Sequence, residues 1–228
     1  MWEALHDGPV NHPDAAARPF DALLCDFDGV IRFHDTAEQA RLERAFKLGE
    51  GATARLALSQ ELMMPAVLGE ITCEEWEASL LPALTKLTRS AERAAQLAAA
   101  FIGAGSRADE TVCALLEQVR DLVPVVLVTN ATTRLEDDLD ELGLCCAFDE
   151  VVSSARVGVA KPDRRIYEIA AEQAGVPVGR CLFVDDRLAN VEAARKVGMQ
   201  AVHFRRPDDL RKALAPLLDG IAHSSSSS

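Results

Sequence analysis

What this chain of 228 residues lacks already narrows its class. No apolar run reaches the roughly 20 residues that a helix needs to cross a bilayer. Basic residues are scarce: 24 Lys and Arg stand against 36 Asp and Glu, a formal charge of -12. A nucleic acid or an anionic membrane surface would meet repulsion rather than a basic footprint, so neither is expected as a partner. A small anionic substrate stays open, because a local cation can reverse the sign of a pocket. The six cysteines (Cys25, Cys73, Cys113, Cys145, Cys146 and Cys181) form no C-x-x-C pair, and the five histidines include no H-E-x-x-H. A disulfide framework or a zinc site is therefore not expected, and the thiols read as small buried residues.

Targeting signals are also missing. The opening "MWEALHDGPVNHPDAAARPF" has no basic stretch followed by an apolar one, which points to the cytoplasm. "NAT" at Asn130 fits a glycosylation pattern but ends an apolar run, so it is set aside. The closing "HSSSSS" reads as a flexible polar tail.

What is present is an ordinary folding composition, 49% hydrophobic, long enough for one large α/β domain or a core plus an insertion. Four short apolar runs read as strands covered on both faces: "DALLCD" (21–26), "PVVLVTN" (124–130), "RCLFVDD" (180–186) and "QAVHF" (200–204). "DEVVSS" (149–154) is a weaker fifth. Helical patterns lie between them. "TTRLEDDLDELGL" has threonines as caps and Gly143 as its stop, "KPDRRIYEIAAEQAG" ends at Gly175, and "RLANVEAARKVG" ends at Gly198. Alternation of strand and helix from 124 to 204 predicts a doubly wound parallel sheet.

From Asp35 to Arg107 the rhythm breaks. No strand is expected there, only "EQARLERAFKLGE", "ATARLALSQELMMPAVLGE", "TCEEWEASLLPALTKL" and "SAERAAQLAAAFIG", with apolar residues at helical spacing. Met63, Met64 and Trp76 read as core packing. The expected organisation is an extension at 1–19, a discontinuous core at 20–34 and 107–222, a helical insertion at 35–106 and a serine tail at 223–228.

Polar residues gather at the carboxyl ends of the strands, where open parallel sheets bind ligands. They are Asp26 and Asp28 after the first strand, Thr129 and Asn130 after the second, and Asp185 and Asp186 after a later one. Lys161 opens a helix in "GVAKPD". Acids, a hydroxyl and an ammonium at one rim suit magnesium-assisted phosphoryl transfer. Mg²⁺ takes oxygen ligands and keeps several waters. One carboxylate can attack phosphorus, and a second, two residues on, can protonate the leaving oxygen and then activate water. A hydroxyl, backbone N–H groups and an ammonium can neutralise the equatorial oxygens.

In that order, "DFDGV", "VTN", "KPD" and "VDD" resemble the four motifs of the haloacid dehalogenase superfamily, over residues 20 to 205 or so. "KPDRRIYEIA", "LFVDDRLANVEAARKVGMQAVHF" and "LGEITCEEW" are similar to the branch (subfamily IA) with a helical cap after the first motif. The resemblance implies an α/β fold, a Rossmann-like parallel sheet with a small all-helical cap. It implies Asp26 as nucleophile and metal ligand, and Asp28 as general acid/base with its backbone carbonyl on the metal. Thr129 and Asn130 would hold the phosphate, Lys161 would steady nucleophile and transferring group, Asp186 would bind Mg²⁺ directly, and Asp185 would act through water or a neighbour. The second aspartate favours a phosphatase over a 2-haloacid dehalogenase, which has no leaving oxygen to protonate. A β-phosphoglucomutase type of phosphomutase keeps the same aspartates, and a catalytically silent binding protein is the remaining alternative. The expected substrate is a small soluble phosphorylated molecule, from a range spanning sugar phosphates, nucleotides, phosphoglycolate and lipid phosphates. "IRFH" after the first motif departs from the family pattern: Arg32 would meet an anionic leaving group or pair with an acid of the cap, the structural role being preferred.

Overall fold

The computed structural model describes residues 18–224. Most of the expected extension (1–17) and the end of the serine tail (225–228) lie outside the described residues. In chain order come β1 (Ala22–Cys25), β2 (Arg32–His34) and then five helices: α1 (Ala37–Ala45), α2 (Ala52–Ala57), α3 (Gln60–Val67), α4 (Cys73–Thr88) and α5 (Ala91–Ile102). Next are β3 (Ser106–Ala108), α6 (Glu110–Arg120), β4 (Val125–Thr129), α7 (Leu135–Glu141), β5 (Glu150–Ser153) and α8 (Ser154–Val157). The chain continues through α9 (Arg164–Gln173), β6 (Cys181–Asp185), α10 (Leu188–Lys196), β7 (Gln200–His203) and α11 (Pro207–Ser224). No helix among the described residues is long and apolar enough to cross a membrane.

The five apolar runs form one parallel sheet in the order β5-β4-β1-β6-β7. Successive side chains of a strand point to opposite faces, so each strand feeds two cores. Leu23, Cys25, Val125, Leu127, Leu182 and Val184 pack on one side with α6, α7 and α11. Ala22, Leu24, Val126, Val128 and Phe183 pack on the other with α9 and α10. Double coverage explains the unbroken Val and Leu runs. The chain winds outward from β1 through β4 to β5, then returns to β6 on the other side of β1. That reversal makes the carboxyl end of β1 a switch point, where such sheets leave a crevice.

The expectation of no strand between Asp35 and Arg107 needs correction at its end. Ser106–Ala108 pairs antiparallel with Arg32–His34, with Phe33 opposite Arg107. Each strand is three residues long and its partner lies far along the chain, so neither leaves a local pattern. The ladder joins both ends of the helical insertion where it meets the sheet. Within the insertion, α4 begins with a full capping box, Thr72 Oγ1 accepting from Glu75 N and Glu75 Oε2 from Thr72 N. The single segment expected from "ATARLALSQELMMPAVLGE" is two helices, separated where Ser59 turns extended. Leu42, Trp76, Leu80, Leu84 and Leu97 form the insertion's own core, and Trp76 Nε1 donates to Ala57 O at 3.3 Å.

Two smaller expectations are corrected. The threonines before α7 do not cap it, since Arg134 stands at its N-cap without a side-chain bond. Thr133 Oγ1 instead accepts from Cys73 N, at 3.1 Å, at the start of α4. Of the thiols, Cys145 and Cys146 are exposed, because they follow α7 in a turn at the surface. The insertion's core rests on few large side chains, so Leu80→Ala should cost about 2–5 kcal/mol, read as a lower urea midpoint at constant slope.

Candidate active site

Four polypeptide ends meet at the sheet's carboxyl edge. Asp26 follows β1, Thr129 closes β4, and Asp185 closes β6 with Asp186 next to it. Lys161 reaches in from the segment between α8 and α9. Lys161 is 5% exposed, and its ammonium lies 2.7 Å from Asp26 Oδ1 and 2.7 Å from Asp185 Oδ2. It also donates to Val128 O at 2.8 Å, so its three N–H bonds have three acceptors. Burial works against the charge on Lys161, and the two carboxylates outweigh it, raising its pKa. Burial likewise pushes Asp26 up from its ordinary value, against the pull of Lys161.

Asp185 is fully buried and both of its oxygens are engaged. Asn190 Nδ2 donates to Oδ1 and Oδ2 at 3.0 Å each, and Arg187 N donates to Oδ1 at 2.8 Å. Tyr167 OH in turn donates to Asn190 O at 2.9 Å. Asp185 thus anchors Lys161. Asp186 differs: its Oδ1 is buried without a hydrogen-bond partner. One oxygen each from Asp26, Asp185 and Asp186 lie within 4.8 Å of one another. Opposite oxygens on an octahedral Mg²⁺ with 2.0–2.1 Å bonds stand about 4.2 Å apart. Three carboxylates against one ammonium leave two negative charges, the complement of a divalent cation. The orphaned oxygen, the charge and the all-oxygen donor set fit Mg²⁺.

Gly29 makes this convergence possible. Its φ is +81°, and a Cβ there would lie 2.4 Å from Asp186 Oδ2. Asn190 and Gly29 were not expected as site residues. The glycine had a signal, following the aspartates directly; Asn190 had none, because its role depends on the placement of α10 beside β6.

Asn130 occupies an unexpected place. Its Nδ2 donates to Lys161 O at 2.9 Å and its Oδ1 accepts from Lys161 N at 2.8 Å, so the amide clamps the lysine's backbone. Arg32, expected at a leaving group or a cap acid, lines the cavity and pairs with acids of the core rather than of the insertion. Nε and Nη2 bond Asp28 Oδ1 and Oδ2 at 2.7 and 2.9 Å, and Nη1 bonds Asp138 Oδ2 of α7 at 2.5 Å. The guanidinium also lies 4.4 Å above the Phe27 ring. His34 Nε2 stands 3.4 Å from Asp28 Oδ1. Burial would raise the Asp28 pKa, but His34 and Arg32 hold it down at about 2. A cavity of about 710 Å³ takes in Asp26, Asp28, Thr129, Lys161 and Asp186 on its floor, with Arg32 and Asn130; Asp185 lies beneath it.

Because the folded Asp28 pKa is depressed, its pairing stabilises above about pH 4 and is lost as pH falls through about 2. Arg32→Ala should therefore trail the parent in denaturation midpoint by a gap that narrows between about pH 5 and pH 2. A constant gap would assign the effect of Arg32 to packing on Phe27.

Residues 20–198 match the haloacid dehalogenase-like hydrolases. A phosphatase of Mycobacterium tuberculosis, MT3486, is 42% identical over 79 residues, 32% of this chain and 36% of that protein. The sesquiterpene phosphatase astK of Aspergillus oryzae is 34% identical over 100 residues, 43% of this chain and 51% of that protein. The chain thus spans about a third to a half the length of these curated relatives. A HAD family enzyme of Bacteroides thetaiotaomicron, a mutant in complex with magnesium and inorganic phosphate, shares the fold. Its TM-score is 0.63 at 17% identity, covering 82% of this chain and 94% of that one. With its match running over most of its length, this chain belongs to the haloacid dehalogenase-like hydrolases.

Proposed function

We propose that the protein is a Mg²⁺-dependent phosphatase that hydrolyses a phosphate monoester through a phosphoryl group carried on Asp26. The observation that carries this reading is the cluster at the end of β1, where Asp26, Asp186 and the Lys161 ammonium converge on one cavity with an unpartnered carboxylate oxygen. The two relatives named above, a phosphatase and a sesquiterpene phosphatase, support the reaction class.

Asp26 attacks phosphorus and the bond to the ester oxygen breaks, leaving an acyl phosphate and an alcohol. Lys161 holds Asp26 in place and offsets charge on the transferring group. Thr129, buried at the tip of β4, and the backbone N–H of Asn130 hold the phosphoryl oxygens; the Asn130 side chain fixes Lys161. Asp26, Asp186 and the Asp28 carbonyl would hold Mg²⁺, with Asp185 fixing their surroundings. Bound there, the ion would screen the attacking carboxylate from the incoming phosphate and polarise the phosphoryl group.

Asp28 then has two tasks. Its ionised form, which Arg32 maintains, suits activation of water against the acyl phosphate. In the first step the departing ester oxygen takes its proton from Asp28, which must first gain that proton by turning away from Arg32, so Arg32 is a positioning residue that sets where Asp28 rests. The helices of the insertion act as a cap over the site, limiting bulk water around the acyl phosphate.

Magnesium should be required for hydrolysis of p-nitrophenyl phosphate, and a chelator should stop it. Asp26→Asn should abolish turnover, and Asp28→Asn should lower kcat by roughly 10²–10⁴-fold. Mg²⁺ should also raise the Tm of the parent protein but not of Asp186→Asn. Turnover that survives in Asp26→Asn would reject covalent catalysis at this residue.

A further inference from the structure

The cavity above Asp26 is far larger than a phosphoryl group. About 710 Å³ lies within the range of sites that enclose a whole small molecule. Its floor is charged, and its far wall is mostly apolar. Leu58 after α2, Met63, Met64 and Val67 on α3, and Phe101 and Ile102 at the end of α5 line that wall. Leu58 is 51% exposed and Ile102 39%, so apolar surface is left open here rather than packed into the insertion's core. Methionine pairs are suited to such a wall, since the unbranched thioether moulds to a guest's shape.

Charge on the wall narrows the guest further. Residues 37–102 contribute no lysine or arginine to the cavity. Gln39 Nε2 is committed to Glu43 at 3.1 Å, and Glu77 would repel a second anionic group. Of the cations nearer the floor, Arg32 holds Asp28 and Asp138, Arg134 holds Asp138 and Glu141, and Lys161 holds Asp26 and Asp185; Arg187, next to Asp186 in the chain, also lines the cavity. Thr36, Gln60, Ser106 and Thr132 also line the cavity, but a sugar body lying on Leu58, Met63, Met64 and Ile102 would set hydroxyls against hydrocarbon, and a carboxylate-bearing body would face Glu77.

We infer that the substrate carries its phosphate on a hydrocarbon body, an alkyl or comparably apolar phosphate monoester seated between α3 and the end of α5. The inference rests on the phosphatase reading and names the substrate class of that same site. It departs from the small soluble ester expected from sequence, because the wall that selects the substrate is formed by three separate helices and has no linear signature.

The test is a series of ethyl, butyl, hexyl and octyl phosphates, with glucose 6-phosphate and a nucleoside monophosphate alongside, given to the full chain with Mg²⁺. Each methylene buried should raise kcat/KM by roughly three- to fourfold until the wall is covered. The slope against chain length should flatten in Met64→Gln. In parallel, calorimetry should find octylphosphonate binding at least tenfold tighter than methylphosphonate. A flat series with equal phosphonate affinities, or faster turnover of the sugar or nucleoside ester than of octyl phosphate, overturns the inference and leaves the phosphatase standing. No hydrolysis of any ester, p-nitrophenyl phosphate included, rejects the phosphatase and the inference together.

Discussion

Lys161 between Asp26 and Asp185 is the contact on which the rest of the site depends. An ammonium at 5% exposure is tolerated only if its charge is answered and its protons are accepted. Two carboxylates at 2.7 Å and Val128 O at 2.8 Å do both. The acceptors come from β1, β4 and β6, so the lysine ties together the three central strands of the sheet at their carboxyl ends. The Asn130 clamp on its backbone, and the Asn190 amide under Asp185, hold this arrangement from either side. Removing one partner would strand a charge in a poorly solvated place, which is why the network reads as a unit.

A second network links the site to the insertion. Arg32 lies on β2, in the ladder that joins both ends of the insertion to the core, and from there it fixes Asp28 and Asp138. Further contacts bridge the same gap: Thr133 Oγ1 accepts from Cys73 N, and Gly69 comes so close to α8 that a Cβ would sit 2.2 Å from Ala155 O. Any change in the angle of the insertion must therefore pass through the strand that holds Asp28. One guanidinium thus links the ladder at the base of the insertion to Asp28 and to α7.

Sequence reached the sheet and the floor of the site, for a physical reason. Buried parallel strands need continuous apolar runs, and chemistry at a strand's carboxyl end must follow that run directly, so Asp26, Asp28, Thr129, Asp185 and Asp186 announce themselves by position. Lys161 was legible through its motif alone. Illegible were the partners set by tertiary geometry. Nothing local tells that Asn130 would face Lys161's backbone, that Arg32 would bridge Asp28 to α7, or that Asn190 would lie beneath Asp185. The β2–β3 ladder escaped for the same cause, being made of two short polar segments that find each other only after five helices have folded between them. Met63, Met64 and Trp76 read as core packing; Trp76 and Met63 do pack in the insertion's core, whereas Met64 lines the cavity without joining that core, and periodicity does not separate the two environments.

The two ends of the cavity also strengthen one another. Electrostatic interactions at the floor grow as water is excluded, since the effective dielectric falls. An apolar wall filled by a hydrocarbon body excludes water more completely than a polar wall, which would keep its own hydration. The guest that covers Leu58, Met64 and Ile102 would therefore sharpen the pull of Lys161 on the transferring group, without contributing a charge of its own. Binding energy gathered far from phosphorus is in this way converted into stabilisation at phosphorus. A short ester would leave the wall wet and the floor better solvated, so on the proposed reading an apolar body would act on the rate of the chemical step as well as on affinity.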